Sequence, residues 1–262
     1  MMKSRVIGAT ILLVLLVGSL LISNVLFAIV IMVGAVLGYR ELINIKFGNR
    51  ENEFEIVRFV GYVSLFLVVL NNIFYNVSDR ILYVIPILGL TIPIVFYNDS
   101  KRYNINDALF IYGVVMFIGV SFNNIIYMNN VDVYKCILIF IIAFITDTYA
   151  YIGGMLIGKH KLTSISPKKT IEGTVVGTIM GTVVGSIYYY TFIGGLDIPM
   201  IIFMWLFLTI LSEIGDLVFS SIKRYFNVKD YSNLIPGHGG ILDRFDSVIF
   251  VSLGLVIMLY FI

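Results

Sequence analysis

Long apolar runs leave this chain very few ways to fold. Stretches 6–22, 24–39, 56–76, 81–97, 107–127, 134–158, 171–193, 198–224 and 246–262 are nearly free of charge. A helix crossing a bilayer needs about 20 such residues, with a range of roughly 17–25. In hydrocarbon every backbone N–H and C=O must find its partner inside the protein, so runs of this length fold as helices. The sequence therefore predicts an all-α fold, a polytopic transmembrane helical bundle of about nine spans. Charged residues make up only 13% of the 262 positions, against roughly 25% in water-soluble domains. That is too few to coat a water-facing surface.

Charge placement predicts the orientation. With the N-terminus in the cytoplasm, only Arg80 and Lys135 of the 18 Lys and Arg fall outside. Arg50, Lys101 and Arg102 are among those that fall inside. An excess of basic residues on cytoplasmic segments is what fixes topology. Lys3 and Arg5 precede the run 6–22, which is long for a leader core and lacks a small-residue cleavage site. It is expected to be the first span. Only Ser23 and Asn24 separate it from the second, which predicts a tight helical hairpin. The net charge of +2 carries no nucleic-acid footprint. A lone Cys136 excludes an intrachain disulfide. His160 and His238 lack the paired spacing of a zinc site.

Acids divide the chain into two regions. Residues 1–130 read as a transmembrane scaffold, and 131–262 as a transmembrane catalytic region with acids inside its apolar runs. Asp147 lies within the sixth run, and Glu213 and Asp216 within the eighth. An ionisable group at membrane depth costs about 2.5–3.5 kcal/mol on insertion scales and usually faces a cavity. Glu213, Asp216, Ser220 and Lys223 follow a spacing that puts them on one helical stripe. A single buried acid could be neutralised by a neighbouring Lys; several on one stripe point to a polar pocket. Gly173, Gly177, Gly181 and Gly185 recur every four residues in the seventh run. That pattern is a surface for close helix packing.

Two loops add cations and hydroxyls. The first carries Ser166, Lys168, Lys169, Thr170 and Glu172 just before a predicted helix start, and a helix N-terminus suits phosphate. Basic charge alone would fit an ordinary cytoplasmic loop, but the dense hydroxyls and Glu172 go beyond that. The second carries Lys223, Arg224 and Lys229, then PGHGGILDRFD at 236–246. Its His238-Gly239-Gly240 turn can aim backbone N–H groups at an anion. Asp243 and Asp246 share a helical face beside Arg244. Acids that hold a metal, next to bases that hold phosphates, are what a magnesium–polyphosphate site requires.

The stretch 220–246, SSIKRYFNVKDYSNLIPGHGGILDRFD, resembles the signature of the phosphatidate cytidylyltransferase (CDP-diacylglycerol synthase) family. SPKKTIEG at 166–173 and DTYAYIGG at 147–154 are similar to that family as well. The likeness covers the C-terminal half. It implies a divalent-metal enzyme of phospholipid biosynthesis that joins CTP and phosphatidic acid at the cytoplasmic face of the bacterial inner membrane, as a homodimer. It also implies that Asp216 and Asp246 are metal-site residues. The reading of the residues themselves adds Asp243 as a magnesium ligand, with Glu213 or Asp147 completing or supporting the shell, and leaves any second cation open. Lys168, Lys169, Lys223, Arg224, Lys229 and Arg244 are expected on phosphates. Ser166, Thr170, Glu172, Ser220, His238, Gly239 and Gly240 are expected to contact substrate. A secondary transporter would also bury acids, but no inverted repeat is visible. A polyprenol kinase or a CDP-archaeol-type synthase would share the metal–phosphate logic. The D-G-x2-A-R motif of CDP-alcohol phosphotransferases is absent.

Overall fold

The computed structural model describes residues 2–48, 55–71, 73, 77–97, 103–235 and 239–261. Arg50, Lys101 and Arg102, which the orientation argument uses, lie outside them. The described chain is all-α: α1 (Met2–Ile22), α2 (Asn24–Phe47), α3 (Glu55–Val69), α4 (Asp79–Thr91), α5 (Pro93–Phe96), α6 (Ile105–Val131), α7 (Val133–Ile157), α8 (Ile171–Phe192), α9 (Ile198–Tyr225) and α10 (Leu242–Phe261). Among the described residues, extended pairing is limited to isolated bridges at Lys161–Thr170 and Ile235–Gly239. Among the described residues, seven helical segments are long and apolar enough to cross a membrane, counting α4 and α5 together. The chain is an integral membrane protein.

Helix boundaries follow local chemistry. Ser23, in extended conformation, breaks the first two runs, and its Oγ accepts the Val25 N–H at 3.2 Å to cap α2. α2 runs on to Phe47, past the expected end at 39. Its last turns are polar on one side but satisfied there: Lys46 Nζ lies 3.1 Å from Asp107 Oδ1. Gly48, at φ +50, then ends the helix. The third run, expected over 56–76, stops as a helix at Val69. Asn123 explains the stop, because its Nδ2 donates to the carbonyls of Val69 (2.9 Å) and Asn71 (2.8 Å). The fourth run is interrupted at Ile92, directly before Pro93.

The chain forms two compact units: Met1–Tyr127 with Asp230–Ile241, and Met128–Lys229 with Leu242–Ile262. In the first, Phe27, Ile31, Ala35, Tyr39 and Leu42 of α2 are buried. Tyr39 packs edge-on against Tyr62 of α3.

In the second unit the glycine ladder of α8 is the main packing device. A Cβ on Gly177 would stand 2.6 Å from the Thr146 carbonyl oxygen and 2.8 Å from Ala150 Cβ, both on α7. One on Gly181 would stand 2.7 Å from Thr209 of α9, and Gly185 lies against the fully buried Trp205 of α9. Val175, Ile179, Val183 and Ile187 of the same helix are exposed. This division is expected of a helix with lipid on one side: small residues admit neighbouring backbones, and large apolar ones meet acyl chains. Gly215 does the same between α9 and α10, where a Cβ would stand 2.9 Å from the Asp246 carbonyl oxygen. The close fit brings the acid-bearing parts of α7, α9 and α10 together.

Gly177→Leu should overpack the α7–α8 seam by about 1–3 kcal/mol or more. It should lower the thermal midpoint of the detergent-solubilised protein, whereas Val175→Leu on the exposed face should leave it unchanged. Equal midpoints for the two variants would contradict the seam.

Candidate active site

The loop between α7 and α8 is built by its own backbone. Leu162 N–H donates to the Lys169 carbonyl at 2.9 Å, and Ile171 N–H to the His160 carbonyl at 2.9 Å. These bonds fold 160–171 into a narrow hairpin. Glu172 closes its base: Oε2 accepts the N–H groups of Lys159 (3.0 Å) and His160 (3.2 Å), and Oε1 meets His160 Nδ1 at 2.5 Å. Thr170 caps α8 by accepting the Gly173 N–H at 3.1 Å. Thr170 and Glu172, expected on substrate, are thus engaged in shaping the loop. Ser166 contributes its carbonyl to the Lys169 N–H at 3.0 Å.

The hairpin delivers Lys169 inward while Lys168 beside it stays exposed. Lys169 Nζ lies 2.8 Å from Glu213 Oε2 and 2.8 Å from Asp216 Oδ2. Its side chain is 18% exposed and that of Glu213 4%. Burial disfavours the Lys169 ammonium, but Asp216 and Glu213 beside it outweigh that and raise its pKa above the usual lysine value.

The stripe on α9 carries the rest. Ser220 Oγ donates to Asp216 Oδ1 at 3.2 Å. One turn further, Lys223 Nζ pairs with Asp243 Oδ1 of α10 at 2.7 Å. Asp147 enters from α7, and its Oδ1 receives the Ser247 hydroxyl at 3.3 Å. Asp246 Oδ1 accepts the Ser247 N–H at 2.9 Å. Asp147 is within electrostatic reach of Asp216, Lys169 and Glu213, and Asp246 of Asp216, Asp147 and Lys223. Asp147, Glu213 and Asp216 thus lie near Lys169, and Asp246 lies near Asp216 and Asp147, with Lys223 at the edge. Glu213 Oε1 is buried with no hydrogen-bond partner.

The structure therefore brings together Asp147, Lys169, Glu213, Asp216, Ser220 and Asp246, with Lys223 and Asp243 as an adjacent pair. It does not draw Asp216, Asp243 and Asp246 into one closed set. Asp243 is turned to Lys223, and among the described residues no three His, Cys, Asp or Glu side chains form a finished metal cage. Arg224, Lys229 and Arg244 are exposed; Arg224 reaches the carbonyls of Ile165 (3.5 Å) and Val228 (3.3 Å). Gly239 and Gly240 belong to the other compact unit, and His238 lies outside the described residues. Sequence reasoning overlooked Ser247, whose hydroxyl and amide serve two of the acids. Its position directly after Asp246 was the available signal.

Comparison with known proteins agrees over the full length. Residues 3–262 match the profile of the cytidylyltransferase family. Phosphatidate cytidylyltransferase of Staphylococcus haemolyticus (strain JCSC1435) is 31% identical over 255 residues, which is 95% of this chain and 96% of that protein. The enzymes of the same name from Staphylococcus aureus (strain COL) and Staphylococcus epidermidis (strain ATCC 12228 / FDA PCI 1200) are each 30% identical over the same shares. The acid-rich, lysine-bridged cluster is that of a family member: the chain belongs to the cytidylyltransferase family.

Proposed function

We infer that this chain is a CTP:phosphatidate cytidylyltransferase that transfers CMP from CTP to phosphatidic acid, giving CDP-diacylglycerol and pyrophosphate. The observation that carries this reading at the site is the bridge from Lys169 to Glu213 and Asp216, set among further carboxylates. A phosphatidate oxygen bonds to the α-phosphorus of CTP as the bond from that phosphorus to the α–β bridging oxygen breaks in line, and that oxygen leaves with pyrophosphate. The nucleophile is a phosphate monoester whose second pKa is about 6. It is largely ionised at neutral pH and needs no general base. The barrier is the approach of two polyanions, which fixed cations and hydrogen-bond donors lower.

The residues fit a hard divalent cation. All the convergent donors are carboxylate or hydroxyl oxygens, and Glu213 Oε1 is buried without a partner. Asp216 and Asp246 would hold magnesium, with Asp147 and Glu213 supporting them. When bound, the ion neutralises negative charge on the nucleotide phosphates. Lys169 holds the Glu213 and Asp216 carboxylates in place and keeps a positive charge at the reacting phosphates. Ser220 and Ser247 orient Asp216, Asp147 and Asp246. Lys223 and the exposed Lys168, Arg224, Lys229 and Arg244 form the cationic approach for CTP. The diacyl tails stay in the bilayer. Nine spans, a cytoplasmic N-terminus, a bacterial inner-membrane location with the site facing the cytoplasm, and a homodimer complete the proposal.

Purified protein with phosphatidic acid and α-labelled CTP should form labelled CDP-diacylglycerol only with magnesium present; product formation undiminished by a chelator would remove the metal from the scheme. Asp246→Asn should lower kcat by more than about a hundredfold while the protein remains folded in detergent. Near-normal turnover would overturn its role. Lys169→Met should lower kcat/KM by more than about tenfold, and Lys169→Arg should recover part of the loss. Identical kinetics for Lys169→Met and the unmodified enzyme would count against the bridge.

A further inference from the structure

Asp243 stands apart from the acids around Lys169 and meets a different lysine. Lys223 Nζ lies 2.7 Å from Asp243 Oδ1, and the two side chains are only 12% and 5% exposed. Arg224, Lys229 and Arg244, their neighbours in sequence, are exposed. Withdrawing a lysine from water costs hydration and side-chain freedom. Stability alone does not call for such a pair, because apolar residues of similar volume often serve as well or better. The charge itself therefore needs a use.

Position along the helices gives a direction. On α9, Asp216 is followed by Ser220, which donates to it at 3.2 Å, and then by Lys223 in the last turn. On α10, Asp243 lies in the first turn and Asp246 one turn further in. Asp246 is within electrostatic reach of both Asp216 and Lys223. The Lys223–Asp243 pair thus sits where α9 ends and α10 begins, and Asp216 and Asp246 lie farther from those ends.

Phosphatidate keeps its tails in the bilayer, so its phosphate comes to these acids from the side of the membrane interior. In-line displacement puts the entering and leaving oxygens on opposite sides of the α-phosphorus. Pyrophosphate must then leave away from the interior, towards the helix ends where Lys223 stands. The bond from the α-phosphorus to the α–β bridging oxygen breaks with its electron pair on that oxygen. The charge that builds up is spread over pyrophosphate, and no proton transfer is needed. An ammonium carries three N–H donors, so Lys223 can hold Asp243 with one and turn towards a phosphate with another.

We propose that Asp243 is a positioning residue: it holds the Lys223 ammonium where the β- and γ-phosphates of CTP lie, so that Lys223 stabilises the departing pyrophosphate. This rests on the cytidylyltransferase reading, which supplies the triphosphate and the direction of displacement. It gives Asp243 a role other than the magnesium ligand that its spacing from Asp246 suggests.

Pyrophosphate is itself the probe, used with magnesium on the full-length protein in detergent. Its binding is measured by calorimetry, and its KM in the reverse reaction that makes CTP from CDP-diacylglycerol. Asp243→Asn and Lys223→Met should each weaken binding and raise that KM by at least about tenfold. KM for CDP-diacylglycerol should change by less than about twofold. Lys223→Arg, which keeps the charge, should lose no more than about threefold. Each single change strands the opposite charge in a buried place, so the decisive variant removes both. Lys223→Met combined with Asp243→Leu should regain the thermal midpoint of the unmodified protein and still bind pyrophosphate at least about tenfold more weakly. Recovery of midpoint and pyrophosphate affinity together would make the pair structural and overturn the proposal. Equal losses for pyrophosphate and CDP-diacylglycerol would overturn it as well. Pyrophosphate binding that is lost in the double variant, in a protein whose unmodified form makes no CDP-diacylglycerol, would instead overturn the enzymatic reading and leave the pair standing as an anion site.

Discussion

The second compact unit gathers several carboxylates where water is scarce, and Lys169 sets a positive charge between two of them. It bridges two acids of α9, reaching them at 2.8 Å each. An ion pair withdrawn from water recovers its desolvation cost only with good geometry and extra hydrogen bonds. The hairpin pairing and Glu172 fix the backbone that delivers Lys169, and Ser220 supplies a donor to Asp216 Oδ1. The glycines of α8 and Gly215 matter for the same reason. They let α7, α9 and α10 approach until Asp147, Asp216 and Asp246 feel one another.

Much of this was legible in the sequence because it is written in periodicities. The apolar runs became helices, and the stripe Glu213–Asp216–Ser220–Lys223 lies along α9 as its spacing demands. The glycine ladder meets α7 and α9 as small-residue spacing predicts. Where the reading stopped short, the deciding partner was distant. Nothing local shows that α3 ends at Val69; the cap comes from Asn123 on α6. Nothing local separates Asp243 from Asp246 either. They share a helix, yet Asp243 is taken by Lys223. The loop residues Thr170 and Glu172 were expected to face substrate because hydroxyls and acids near lysines suggest it. Their hydrogen bonds go to the chain itself.

Glu41 shows the limit most clearly. It is a lone acid at the edge of an apolar run, and its partners lie about two hundred residues away in sequence. A pattern-based reading has no reason to prefer it over Glu51 or Glu53, which are nearby in the same polar stretch. Its anchoring of Ser232 and Ile241 is visible only once its burial and its donors are known together.

The acids of this chain thus separate by how fully the chain itself satisfies them. The accepting oxygens of Glu41 and Glu172 each receive donors from the loops they fasten, and such acids are structural by function: the chain supplies what they need, so no ligand is required. Glu213 is different. One of its oxygens meets Lys169, while the other is buried and receives nothing. Leaving a buried acceptor unmade costs about 1–3 kcal/mol, and Glu213 Oε1 is one of several such atoms among the described residues, Asp107 Oδ2 included. What sets Glu213 apart is its place beside Lys169 and Asp216 and near Asp147, where the proposed magnesium would supply the missing charge.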